Sequence, residues 1–458
     1  MPVVNGRVRV ARQEKGQRPH NIPDCVDRLS MQTDKGSLFK DSAVYLTANI
    51  INAVIPFALL PILTRYLSPD KYGEVAMFQT LLAFLGALVG LETCSAVSRK
   101  YFDEGVTNKE LSEYIAVSLQ VILVSGTLLL LVILAGGGVL ANVFKLNTVF
   151  MCYAVITAVA TACLQLRLTQ WQVRKKAKQF GAFQNLQSLI NMIISLILVV
   201  GMKMGASGRI MAQVWTAVLF ALIAICSLQT DGLLRFISWK PSYMKDALSY
   251  GVPLVPHSIG IILLSMIDRV IIADKIGIGE AGIYMVAVQL SMGLYLLFAS
   301  LNNAYSPWLF MKLTTNNARE KRMIVKYTYV FYVGVLLIAL LSFAVGPWAV
   351  NLLAGAKYER AGRIIGWLAL SQCFLGMQYS VVNFIYYSKR TGLLSLSSLG
   401  TGVLNVVLLL ALVPRMKIEG AAIAMAVSMG VRFLILWAVA QKSHPMPWLV
   451  TLNGGCKC

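Results

Sequence analysis

Twelve apolar stretches of about twenty residues, each closed by polar or basic residues, limit what this chain can become. They run at about 43–64, 74–97, 114–135, 148–168, 183–202, 209–228, 248–272, 281–302, 327–347, 362–387, 393–414 and 420–440. Pro69, Gly136–Gly138, Pro241, Gly346–Pro347 and Pro414 punctuate their ends. Such segments satisfy their backbone groups internally, as helices crossing a bilayer must. Of the 458 residues, 57% are hydrophobic and 13% charged, against roughly a quarter charged in soluble domains. The expectation is an all-α membrane protein. Before the first stretch, residues 1–40 are polar and basic with no apolar core, so they read as a disordered cytoplasmic arm, with Met31 as an alternative start.

The net charge of +21 would suggest nucleic acid on a soluble protein. Here the cations sit between spans and report topology. With the N-terminus inside, 28 Lys and Arg fall on the cytoplasmic side and 11 on the other, Arg209 among the 11. Both termini are therefore expected in the cytoplasm, with no nucleic-acid partner.

Several enzymatic classes lack their residues. The three histidines, His20, His257 and His444, form no His-x-x-x-His pair, and there is no Walker-type phosphate loop. Of eight cysteines, Cys94, Cys152, Cys163, Cys226 and Cys373 lie in apolar spans without ligand spacing. A glycan polymerase or ligase would carry a large outer loop with catalytic groups. The longest one here, about 348–361, holds only Glu359 as an acid.

The chain also repeats itself. Leu67–Gly73 (LSPDKYG) and Ile276–Gly282 (IGIGEAG) are 209 residues apart, and each precedes an apolar run. Lys175-Lys176 precede Asn191 as Lys389-Arg390 precede Asn405, offset by 214; Met202-Lys203 and Met416-Lys417 keep that offset. Six spans per half put both halves in the same orientation. The expected architecture is two six-helix bundles, 41–228 and 247–440, related by a pseudo-two-fold axis along the membrane normal. A linker, 229–246, and a tail, 441–458, complete it.

The stretch from Asp268 to Ala287, DRVIIADKIGIGEAGIYMVA from its first residue, resembles polysaccharide flippases of the superfamily that also holds multidrug (MATE) exporters and lipid II flippases. Leu63–Gly73 is a weaker echo, and Gly420-Ala-Ala resembles the opening of that family's last span. The resemblance covers about 41–440. It implies a MATE-like fold and a flippase, not an enzyme, that carries undecaprenyl-diphosphate-linked oligosaccharide across the cytoplasmic (inner) membrane. The implied pathway is O-antigen (lipopolysaccharide) or exopolysaccharide assembly, beside its polymerase and chain-length machinery. A multidrug or cation antiporter of the same fold is the first alternative, and a membrane-bound polymerase or ligase the second.

An anionic headgroup needs cations inside the bilayer, and arginine's planar fork suits phosphate. Arg432, Arg269 and His257 are the candidates for a cationic cavity; Pro253 and Pro256 should bend the helix around His257. Asp268 and Glu92 are candidates for coupling to H+ or Na+. Asn191, Asn405, Gln79 and Gln289 place amides in both halves for sugar hydroxyls or interhelical bonds. Tyr284, Tyr295, Tyr305, Tyr379, Tyr386 and Tyr387 would stack on sugars or form an aromatic belt.

Overall fold

The computed structural model describes residues 35–234, 240–314, 317–388 and 392–448. Residues 1–34 of the expected arm, Lys389, Arg390 and parts of the linker and tail lie outside the described residues; 35–40 belong to the first helix. The described chain is helical, with no strand: α1 Lys35–Tyr66, α2 Pro69–Leu88, α3 Thr93–Lys100, α4 Asn108–Phe144, α5 Thr148–Val173, α6 Ala177–Leu196 and α7 Gly205–Thr230. The second half holds α8 Pro241–Gly251, α9 Val255–Ser265, α10 Ile267–Lys275, α11 Ile278–Thr314, α12 Ala318–Ala354, α13 Ala361–Tyr387 and α14 Gly392–Ser443.

The starts follow local chemistry. Ser68 caps α2 through the amide of Lys71, with Pro69 at the first helical position. Thr107 and Glu110 form a reciprocal capping box on α4. The Asn147 side chain accepts from the Phe150 amide (2.8 Å) to open α5.

Ten segments are long and apolar enough to cross a membrane. The last, Leu396–Ser443, lies on a helix that would be ~78 Å long if straight, over twice a bilayer core. It is broken at Lys417 (φ 52°, ψ −135°), three residues after Pro414. Counting it twice and adding α1, whose apolar part is Val54–Tyr66, recovers the twelve stretches of the sequence. The α4 and α12 faces expose Leu131, Val139, Leu340 and Trp348, each more than half accessible. A water-soluble surface rarely carries such continuous apolar bands, and lipid accepts them.

Two spans leave the helical path. Helix α2 ends in Gly90 (φ 72°), Leu91 (φ 47°) and Glu92 (φ 60°) before α3 resumes. Left-handed φ at the two non-glycine residues costs on the order of 1–2 kcal/mol each. The seventh span bends at Val252–Leu254, where Pro253 lies, and again at Met266. The two breaks meet, since a Cβ on Gly251 would lie 2.2 Å from the Leu91 carbonyl oxygen.

The halves also meet through α2 and α11, reciprocally. A Cβ on Gly73 would fall 2.0 Å from Ile278 O, and one on Gly282 2.1 Å from Pro69 O. Adding the 209-residue offset to Pro69 gives 278, and to Gly73 gives 282. One contact is therefore the other with the halves exchanged. Lys203 and Lys417, matched at the 214 offset, share left-handed φ of 55° and 52°.

Both faces are tied. At the face bearing the basic loops, Arg99 (3.3 Å) and the Tyr114 hydroxyl (2.8 Å) bond Asp246 of α8, and Lys240 pairs with Glu113 at 2.5 Å. Binding to Glu113 holds the Lys240 amine above its usual range. At the opposite face the Tyr358 hydroxyl donates to Leu67 O (3.1 Å) and the Tyr358 ring stands edge-on to Tyr72. Asp246→Asn should loosen the basic face by about 1 kcal/mol, roughly fivefold in population. Spin labels across the α3–α4 and α7–α8 loops would report it as a larger long-distance fraction.

Candidate functional site

A cavity of about 590 Å³ lies inside the first half and is closed on one side by the second. Its walls come from α1, α2, α5, α6 and α7, with Met266 at the start of α10, Arg269 of α10 and part of α11 completing them. Gln79 and Gln289 lie ten and eleven residues past the starts of α2 and α11, or about 15 Å into a layer about 30 Å thick.

Helix α6 supplies a polar stripe. Gln184, Gln187 and Asn191 recur at three- and four-residue spacing, on one helical face, with Ser188 beside them bonded to Asn52 of α1. Gln165 and Gln213 add amides from α5 and α7. The acceptor oxygens of Gln184 and Gln213 and the Thr216 hydroxyl are buried without a partner among the described residues. Unpaired buried polar atoms are costly and call for water or a ligand.

Two arginines supply charge. Arg209 is 7% exposed; its Nη1 donates to Asn191 Oδ1 and Ser195 Oγ, both at 2.6 Å. These partners are neutral, and no carboxylate among the described residues pairs with Arg209. The bonds all use Nη1, which leaves the rest of the fork for something else. Arg269, 5% exposed, bonds Ser265 O at 3.0 Å and lies 3.8 Å from Asp268 Oδ1, which also accepts the Arg269 amide. Sequence adjacency thus does not keep this pair apart. Asp268 does not line the cavity, and among the described residues no carboxylate does.

Of the residues singled out from sequence, Arg269, Asn191, Gln79 and Gln289 come together here. Gln289 also ties the halves, accepting from the Tyr72 hydroxyl (2.8 Å) and donating to Pro56 O (2.7 Å). Besides Asp268, four others lie elsewhere. Arg432, on α14, donates to Ser398 Oγ at 3.0 Å. Asn405, fully buried, donates to Leu264 O (3.4 Å) and accepts from Ser428, clamping helices together. His257 stands on α9 beside Ser258, with Nδ1 unpartnered. Ser258 donates to Glu92 Oε1 (2.6 Å), and Glu92 lines a second cavity of about 430 Å³ that shares Gln79, Leu82, Thr161 and Gln165 with the first.

Sequence reasoning missed Arg209, counted as a loop charge four residues after the start of α7, and most of the amides. The spacing of Gln184, Gln187 and Asn191 inside an apolar run was the available signal.

A polar, cation-bearing chamber walled by membrane-crossing helices defines a multi-pass transport fold. Residues 38–313 match the family described as "Polysaccharide biosynthesis protein", and the chain belongs to it. Two Haemophilus influenzae proteins are similar. One, described as "Lsg locus putative protein 1", is 23% identical over 82% of this chain and 91% of its own. The other, an "Uncharacterized membrane protein", is 25% identical over 62% and 68%. Among solved structures, the fold is similar to lipid II flippase MurJ in an inward closed conformation. The TM-score is 0.69 at 12% identity, covering 88% of this chain and 87% of that one. An inward-facing multidrug resistance MATE family transporter of the MOP superfamily gives 0.62 at 14% identity, over 87% and 94%. Both of these solved structures are of a flippase or a transporter rather than an enzyme.

Proposed function

We propose that this protein is a flippase that moves polyprenyl-diphosphate-linked oligosaccharide across the cytoplasmic membrane for O-antigen or exopolysaccharide assembly. The observation that carries the reading is the charge inventory of the cavity: two buried arginines, a dense set of amides and hydroxyls, and no lining carboxylate among the described residues. Arg209 and Arg269 would receive the diphosphate, exchanging hydration for charge-assisted hydrogen bonds. The amides of α5, α6 and α7 would meet sugar hydroxyls, and the prenyl tail would stay in lipid. A cationic drug would find no anionic partner on these walls, which separates this reading from a multidrug antiporter of the same fold.

The basic face is read as cytoplasmic, with both termini there. The halves, taken as two bundles about an axis along the membrane normal, would exchange the ties at one face for an opening at the other. Polymerase and chain-length proteins would take up the delivered unit.

Reconstituted vesicles test this. A fluorescent undecaprenyl-diphosphate glycan should become accessible to a membrane-impermeant quencher at least tenfold faster with the protein than without it. Uptake of a cationic dye by the same vesicles, with no movement of the lipid-linked glycan, would replace the flippase reading with drug export.

A further inference from the structure

We propose that Tyr72 is a positioning residue that couples the cavity to the face opposite the basic loops: a cargo oxygen that draws its hydroxyl away from Gln289 also releases that face. The proposal rests on the reading above, that the cavity receives a headgroup bearing phosphate and hydroxyls, but the lock itself is tested without one.

Tyr72 lines the cavity near the start of α2, and its hydroxyl and its ring meet different partners. The hydroxyl donates to Gln289 Oε1 at 2.8 Å, and Gln289 Nε2 donates to Pro56 O at 2.7 Å. A carbonyl oxygen can only accept. Pro56 therefore fixes which way the Gln289 amide points, and with it the direction of the Tyr72 bond. The Tyr72 ring stands edge-on to Tyr358, with the centroids 5.9 Å apart. Tyr358, 0% exposed, follows α12 in the second half, and its hydroxyl donates to Leu67 O at 3.1 Å. Its neighbour Lys357 reaches Arg65 O at 3.3 Å. These carbonyls end α1, where a helix has no partners of its own to offer. The turn after α12 thus caps a helix of the first half and shuts this face. Tyr72 touches both that cap and the cavity wall.

A phenol is rigid. Its hydroxyl proton can turn about the C–O bond, but the oxygen cannot shift without the ring. A ligand that pulls the Tyr72 oxygen from Gln289 must therefore move the ring that stands against Tyr358. A phosphate oxygen is such a ligand, because a hydrogen bond to an anion is roughly twice as strong as one between neutral groups. A sugar hydroxyl reaches the same end by competing for the Gln289 amide. Either one loosens the Tyr358 cap on α1, so a loaded cavity favours opening at the face opposite the basic loops. The coupling is reciprocal, since an opened face frees Gln289 for cargo.

The first arm of the test uses the purified full chain with no cargo. Spin labels at positions 149 and 359, exposed at this face on the first and second halves, report its opening as a long-distance fraction. Tyr72→Phe keeps the ring and removes the hydroxyl, and should raise that fraction about fivefold. Gln289→Met should do at least as much, and the double variant should add little to it, because both changes break the same bond. The second arm adds undecaprenyl-diphosphate-linked N-acetylglucosamine, with binding followed by thermal stability. Bound probe should raise the fraction about fivefold or more in the wild type. In Tyr72→Phe it should bind and change the fraction little, a loss of response that a merely structural role would not give. An unchanged fraction in both cargo-free variants would overturn the proposal, as would bound probe that opens the wild type and Tyr72→Phe by the same factor. A probe that binds neither protein counts against the headgroup reading instead, and the cargo-free arm then decides the coupling alone.

Discussion

Replacing Arg209 and Arg269 together by glutamine should lower glycan-lipid flipping by about a hundredfold or more. Each arginine offers charge-assisted hydrogen bonds of roughly 1.5–3 kcal/mol, and losing two such anchors exceeds the 2.7 kcal/mol that a hundredfold represents. Arg209→Gln should be the more damaging single change, because its guanidinium has only neutral partners whereas Arg269 shares its charge with Asp268. Arg209→Lys separates charge from geometry, since lysine keeps the positive charge without the planar fork. It should recover part of the rate and leave a weaker affinity. Glutamine at 209 still donates to Asn191 or Ser195, so membrane levels should stay near normal, measured by tagged protein. Surface glycan in a deletion strain gives the cellular readout. Normal glycan in the double variant would remove both arginines from the transport path.

The second large effect concerns the contact between the halves. Gly282→Ala should destabilise the protein by about 3 kcal/mol or more, and Gly73→Ala similarly. The added Cβ meets backbone oxygen at 2.1 and 2.0 Å, where no side chain can swing aside and whole helices must separate. Gly86→Ala, with open space at its Cβ on the same helix, is the control, and should be neutral or gain ~0.5–1 kcal/mol. Thermal unfolding in detergent reads all three. Equal stability in Gly282→Ala and Gly86→Ala would mean that α2 and α11 are not packed this closely.

The helices were legible because spans announce themselves by length and apolarity, and punctuation at Ser68-Pro69, Thr107 and Asn147 fixes where they begin. Even the long α14 divides at Lys417, where the sequence shows two stretches. The break at Gly90–Glu92 was not legible. No proline marks it, and its left-handed leucine and glutamate are held by Gly251, some 160 residues away. Tertiary contact, not local preference, places it.

The site was half legible for a related reason. Hydropathy places Arg209 at a span boundary, where a cation normally reports topology. The turn through Lys203, at φ 55°, starts α7 at Gly205 and carries Arg209 inward onto Asn191 and Ser195. Arg432 and Arg269 are both single arginines inside apolar spans, Arg269 directly after Asp268. Only packing separates them, giving one to the cavity wall and the other to Ser398.

Photo-crosslinking asks most directly whether the chamber receives the cargo. A photoreactive residue at position 213, in the cavity wall, should capture the diphosphate-linked glycan lipid in membranes, and the Arg209→Gln, Arg269→Gln variant should abolish that product. The same residue at position 340, on the lipid-facing side of α12, should capture bulk phospholipid only. Glycan-lipid adducts at 340 but none at 213 would contradict the account.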